Sequence, residues 1–204
     1  MNRKPVIGLI GGIGAGKTAA GRCLAARGGF VIDADKLGHV ALDVPDVKRQ
    51  LVALWGERVL NPDGTANRRT IAGIVFDPKC PVELASLEAI VFPVIGGLAD
   101  AEIQKAVADP AARFVVLDAA VLLEVGWGDR CDRVLYIDAP RELRERRLAG
   151  RSGWTPADLT AREAAQWPAD VKKARADAVV VNDGTPDELQ AKLDTLLTGW
   201  GWMT

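Results

Sequence analysis

The stretch Pro5–Ala20 reads PVIGLIGGIGAGKTAA. An apolar run, Val6–Ile10, meets a glycine-dense turn that opens into an alanine-rich segment. Inside it Gly11-Gly12-Ile13-Gly14-Ala15-Gly16-Lys17-Thr18 fits the phosphate-loop pattern G-x-x-x-x-G-K-[ST]. Such a loop must bring several backbone N–H groups to one point, and residues without a Cβ reach the positive φ angles and close approach this needs. The following helix adds unpaired N–H groups and the positive end of its dipole, which suits a triphosphate. Lys17 is expected at the β- and γ-phosphates, and the Thr18 hydroxyl is expected to be a ligand of Mg²⁺. Branched residues before the turn and a good helix former over Lys17–Arg27 after it argue against a glycine-rich turn with no ligand. A GxGxxG dinucleotide loop fails, because the third glycine position falls on Lys17. The motif alone does not choose a reaction.

The chain has 204 residues, enough for one α/β domain with a small inserted helical part. Hydrophobic residues make up 49%, so a core can be buried. Lys and Arg total 26 against 27 Asp and Glu, and a net charge of −1 gives no bulk attraction to nucleic acid or membrane. Neither is expected as a partner. Cys23, Cys80 and Cys131 are widely spaced and odd in number, which fits a reducing cytosol better than a disulfide framework or a metal site. No apolar stretch is expected to reach the roughly 20 residues that cross a bilayer. Glycine and Lys17 break the start MNRKP and Val6–Ile10 out of a signal-peptide pattern.

Further along, Gly28-Gly29 should stop the first helix. Phe30–Ile32 reads as a short buried strand delivering Asp33-Ala34-Asp35 at its carboxyl end, where ligands gather in open parallel sheets. These acids could orient Mg²⁺ or take a proton from a substrate hydroxyl, or simply cap a helix beginning near Lys36. Residues 43–109 read as a helical insertion: Val47, Leu51, Leu54 and Trp55 recur at helical spacing, Asn61–Gly64 is a turn, and Arg68–Phe76 is helical. Pro81–Val107 repeats apolar residues at three and four, interrupted by Pro93. The insertion either closes over an acceptor substrate or only covers the sheet edge. Arg113–Leu117 is a third strand ending in Asp118, which reads as a carboxylate near the metal. Ala119, not Glu, follows it and argues against a motor ATPase, and Glu124 has no assigned role. Val134–Ile137 is the fourth strand. It runs into the basic helix Arg141–Arg151, where Arg144, Arg147 and Arg151 share one face: a solvated surface, or a lid that neutralises a transferring phosphoryl group. Thr155–Asp158 starts another helix, with Arg162 and Gln166 at i and i+4. Ala178–Val181 is a fifth strand and Asp187–Leu197 a closing helix with Leu189, Leu193, Leu196 and Leu197 inward. His39 is taken as structural, and Trp200 and Trp202 are expected on the surface.

Together these motifs resemble the dephospho-coenzyme A kinase family over nearly the whole chain. The resemblance rests on GLIGGIGAGKT at Gly8–Thr18, VIDAD at Val31–Asp35, NPDGTANRR at Asn61–Arg69 and Val75-Phe76. It continues with LDAAVLLE at Leu117–Glu124, Arg147 with Arg151, Arg162 with Gln166, and ADAVVVN at Ala176–Asn182. It implies a P-loop kinase fold: a five-stranded parallel sheet flanked by helices, an acceptor-binding insertion over 43–109 and an arginine-bearing lid over 140–168. It implies transfer of the γ-phosphoryl of ATP, with Mg²⁺, to the 3′-hydroxyl of the dephospho-coenzyme A ribose. By position Asp35 matches the base, Arg147 the lid arginine, Gly11–Thr18 the ATP loop, and Asp118 the acid near metal and acceptor. Asp33 and Arg68 would serve the acceptor, and Asn182 would lie near the adenine. The chain departs from the family at Phe92 (usually His), Ala120 (Pro), Arg144 (Gln) and His39 (Arg). A cytoplasmic monomer is expected, although no residue pattern fixes the oligomeric state.

Rival readings are another small-molecule or nucleoside monophosphate kinase on the same scaffold, a GTPase, or a non-catalytic nucleotide binder. A GTPase needs an N-K-x-D guanine reader, which Asn182-Asp183-Gly184-Thr185 lacks.

Overall fold

The computed structural model describes residues 3–77, 80, 82–149, 156–164 and 166–203. The chain forms two compact units, Met1–Asp33 with Glu102–Thr204, and Ala34–Ala101.

The first unit is built on five parallel strands in the order β2-β3-β1-β4-β5. They are β1 (Val6–Gly11), β2 (Gly29–Asp33), β3 (Phe114–Asp118), β4 (Arg133–Asp138) and β5 (Ala178–Val181). Every residue of the central strand β1 is buried, as expected for a strand covered on both faces and therefore apolar without alternation. Helix α1 (Lys17–Ala25) and helix α9 (Pro186–Gly199) cover one face: Leu24, Leu189, Leu193 and Leu197 pack with Leu9, Val116 and Leu135. Leu196 is only partly buried against this core. The start of α9 is set by chemistry: Thr185 Oγ1 accepts from the Glu188 N–H at 3.2 Å, and Glu188 Oε2 accepts from the Thr185 N–H at 2.7 Å.

Three expectations about this unit need correction. The strand read as buried is an edge strand: Ile32 is buried, but Val31 is 37% exposed. An edge residue has a neighbouring strand on one side only, so β-branched content did not report burial. The tail tryptophans, expected to pack on the surface, are partly buried. Trp200 and Trp202 pack against the core, their rings 5.0 Å apart, with Trp202 6.4 Å from Phe114. The helix α7 (Pro156–Ala164) is described only to Ala164, and Gln166 stands in a bend before the short α8 (Ala169–Ala174), so Gln166 does not continue the helical face of Arg162. The basic helix α6 is Arg141–Ala149; Arg151, Ser152, Gly153 and Thr155 lie outside the described residues.

The second unit is helical and begins at Ala34, with α2 (Ala34–Leu42), α3 (Pro45–Trp55), α4 (Arg68–Val75) and most of α5 (Val82–Ala108). The Asn61–Gly64 turn closes through Gly64 N–H to Asn61 O, 2.9 Å, and Asp63 Oδ1 accepts from Thr65 N–H, 2.9 Å. Asn67 caps α4 by accepting from the Thr70 N–H at 3.1 Å. The Trp55 indole N–H donates to Glu83 Oε2 at 2.7 Å. Pro93 does not interrupt α5, which runs unbroken for 27 residues. Proline removes one helical hydrogen bond, but Val91, Ile95 and Ala99 around it are buried and hold the helix together. The same helix corrects the expectation on apolar length. By length and composition α5 could cross a membrane, a test that the core helix of a soluble protein also passes.

Candidate active site

The loop after β1 is closed by the Ala15 N–H donating to Gly12 O at 3.0 Å, and α1 follows with Gly16 as its N-cap. Gly14 and Gly16 have φ of +77° and +98°, left-handed values that a Cβ makes costly. A Cβ on Gly16 would also collide with the Asn182 amide nitrogen. The glycines are thus required by the backbone bend and by the neighbour packed beneath it.

That neighbour is fixed. Asn182, 6% exposed at the end of β5, donates its Nδ2 to Ala15 O at 2.8 Å. Arg147 on α6 donates to Ala15 O at 3.2 Å and to Asn182 O at 3.1 Å. Arg144, one turn earlier, donates to Ile13 O and Ala139 O, both at 3.2 Å, and pairs with Glu163 on α7. Arg141 pairs with the same Glu163 at 3.2 Å. Two arginines therefore lie on loop carbonyls, where a guanidinium has donors to spare for phosphate oxygens. Burial and then the charge of Asp138 push the Tyr136 phenol up, so it stays neutral beside the loop.

The strand-end acids come together as β-sheet neighbours. Asp33 on β2 is registered with Asp118 on β3, and Asp118 with Leu9 on β1. Registered neighbours project to the same side of a sheet. Asp35 is two residues on, exposed in the first turn of α2, so DAD straddles the strand–helix junction. Asp35 and Arg68, the latter exposed at the start of α4, belong to the second unit. The first unit holds the loop, Lys17, Thr18, Asp33, Asp118, Arg147 and Asn182.

Sequence reasoning missed several residues. Glu163 pairs with two arginines of α6, and nothing in AREAA marks it. Arg144, read only as one of three arginines on a helix face and as a departure from the family, reaches the loop. Glu124 pairs with Lys172 at 2.6 Å; an acid inside the apolar run VLLE was the one available signal. A cavity of about 570 Å³ opens beside Gly11, Gly12 and Ile13, bounded by Arg144, Gln166 and Lys173 among others.

The two residues expected at a cation, Thr18 and Asp118, would offer it oxygens. No group of three His, Cys, Asp or Glu side chains among the described residues could hold a metal alone. That set fits Mg²⁺, which takes one or two protein oxygens and completes its shell with phosphate and water.

The dephospho-CoA kinase family model matches residues 5–188. The dephospho-CoA kinase of Geobacter sulfurreducens is 37% identical over 195 residues, covering 94% of this chain and 96% of that protein. The dephospho-CoA kinase of Anaeromyxobacter dehalogenans is 39% identical over 193 residues, covering 94% and 90%. Among solved structures, TT1252 from Thermus thermophilus superposes with a TM-score of 0.80 at 33% identity, covering 97% of this chain and 98% of the other. The dephospho-CoA kinase from Campylobacter jejuni shares the fold at 20% identity, with a TM-score of 0.63 over 97% and 98%. Motif order, sheet topology and these matches agree that this chain belongs to the dephospho-CoA kinase family.

Proposed function

We propose the following division of labour for the family's reaction, the ATP-dependent phosphorylation of dephospho-CoA that ends coenzyme A synthesis. The acceptor is the ribose 3′-hydroxyl. Its oxygen forms a bond to the γ-phosphorus as the bond from that phosphorus to the bridging oxygen breaks, and ADP leaves. Asp35 accepts the hydroxyl proton. The backbone N–H groups of Gly11–Thr18 cradle the polyphosphate, and Lys17 and Arg147 balance charge spreading over the phosphoryl oxygens. Asp33 and Arg68 bind the acceptor, and Asp118 serves both acceptor and metal. Asn182 supports the loop on its adenine side. Thr18 and Asp118 would hold Mg²⁺, which supplies electrostatic stabilisation of the phosphates when bound. The protein contributes mostly positioning and fixed charge.

The observation that carries this reading is Arg147 lying on Ala15 O, within the same loop whose Lys17 opens α1. A lid arginine and the loop lysine thereby share one phosphate site. We also propose a monomer in the cytoplasm, which the three free cysteines fit.

The test is ATP consumption by purified protein with and without dephospho-CoA, with mass analysis of the product. Asp35→Ala should keep ATP affinity and lose about 10²–10⁴-fold in kcat. Normal turnover by that variant removes Asp35 from the role of base.

A further inference from the structure

Lys172, on α8, is 2% exposed, a rare burial for an ammonium. Its three N–H donors meet three acceptors: Ala120 O at 2.8 Å, Glu124 Oε1 at 2.6 Å and Gln166 Oε1 at 3.1 Å. Glu124 Oε1 also accepts the Trp167 N–H at 3.1 Å, while Oε2 is buried with no hydrogen-bond partner among the described residues. The pair therefore ties the segment just after Asp118 to the bend at Gln166. A buried ion pair is poor value for stability, since apolar side chains of similar size often do as well or better. Its geometry offers another reason for its presence.

An ammonium only donates, so the Gln166 oxygen must face Lys172 and the amide nitrogen must face away. The two N–H groups of Gln166 have no partner among the described residues. Gln166 borders the same cavity as Gly12 and Ile13 of the phosphate loop, with Arg144 and Lys173 also in its wall. We propose that Glu124 and Lys172 are positioning residues that lock the amide of Gln166, and that Gln166 donates a hydrogen bond to a phosphate oxygen of the nucleotide in this cavity. The same wall holds Asp138 and Glu163, paired with Lys173 and Arg144, so Gln166 adds a donor-only edge suited to an acceptor oxygen. The inference rests on the nucleotide site proposed above.

The experiment measures ATP affinity by titration calorimetry, and kcat with both KM values, for Gln166→Ala, Gln166→Glu, Lys172→Met, Glu124→Gln and the double variant Lys172→Met/Gln166→Ala. Gln166→Glu, which sets a carboxylate against the phosphate, should weaken ATP about tenfold or more. Gln166→Ala should weaken it several-fold and leave the KM for dephospho-CoA unchanged. Lys172→Met and Glu124→Gln should reproduce the Gln166→Ala loss, and the double variant should be no worse than the worse single one. Wild-type ATP affinity in Gln166→Glu, or multiplying losses in the double variant, would overturn the proposal. Should Lys172→Met fail to fold, the two Gln166 variants and Glu124→Gln decide alone. Lys17→Ala separates the two readings. If it binds ATP normally, the nucleotide site itself is misplaced; if it binds weakly while the Gln166 variants bind normally, only this inference falls.

Discussion

Asn182 ends β5 as a short amide, and the family resemblance sets it near the adenine. In the structure its nitrogen is committed to Ala15 O, 2.8 Å away, and the side chain is almost wholly enclosed. Asn182→Ala removes one of the two side-chain donors to Ala15 O and leaves Arg147 as the other, which should cost about 1 kcal/mol in denaturant unfolding. The slackened loop should raise the KM for ATP and for GTP together. A base-reading role would instead change the ratio of the two while stability held. The cysteines make a second residue-scale case. Cys131 is pushed up to about 12, first by burial and then by the Asp132 charge. Cys80 is exposed. A thiol-alkylating reagent at neutral pH should therefore label Cys80 in the native protein and reach Cys131 only on unfolding, as peptide mass mapping would show.

At the scale of elements, α9 is held to α1 by more than its leucines. Arg27 Nε and Nη2 donate to the two oxygens of Asp194 at 2.8 and 2.7 Å. The Arg27 hydrogen bond holds the Asp194 carboxyl below the usual carboxylate range. A carboxyl lowered on folding stabilises the protein above its unfolded pKa and loses that contribution as pH falls through the folded value. Wild type should therefore exceed Asp194→Asn in stability at pH 7, and the gap should close as pH drops below about 4. Thermal melts of both proteins across that range would check it; a constant gap would mean that the charge on Asp194 does not matter. The start of α4 at Arg68 agrees with the helix read over Arg68–Phe76, and the structure adds the Asn67 cap. The continuity of α5 through Pro93 was not readable, because burial of Val91 and Ile95 overrides the local penalty of proline.

For the whole molecule, nucleotide binding to the folded state alone must raise the melting temperature. ATP at a hundred times its Kd should add about 2.7 kcal/mol, or roughly 5–10 °C for a chain of this size. Lys17→Ala should lose most of that shift at the same ATP concentration, and an unchanged shift would count against the loop as the phosphate site.

The sequence by itself determined what local chemistry dictates. The glycines of Gly11–Gly16, the lysine beside them and the apolar runs of the five strands specify a phosphate loop on a parallel sheet, because conformational freedom and alternation are properties of neighbouring residues. The order of DAD, Asp118, the lid arginines and Asn182 narrowed this to one kinase family. Only the tertiary structure decided which strand lies at an edge, that Asp33 and Asp118 are registered partners, that Glu163 pairs with α6, and that Glu124 pairs with Lys172. Those facts depend on residues tens of positions apart meeting in space, and a long-range ion pair leaves no periodicity or spacing in the chain that forms it.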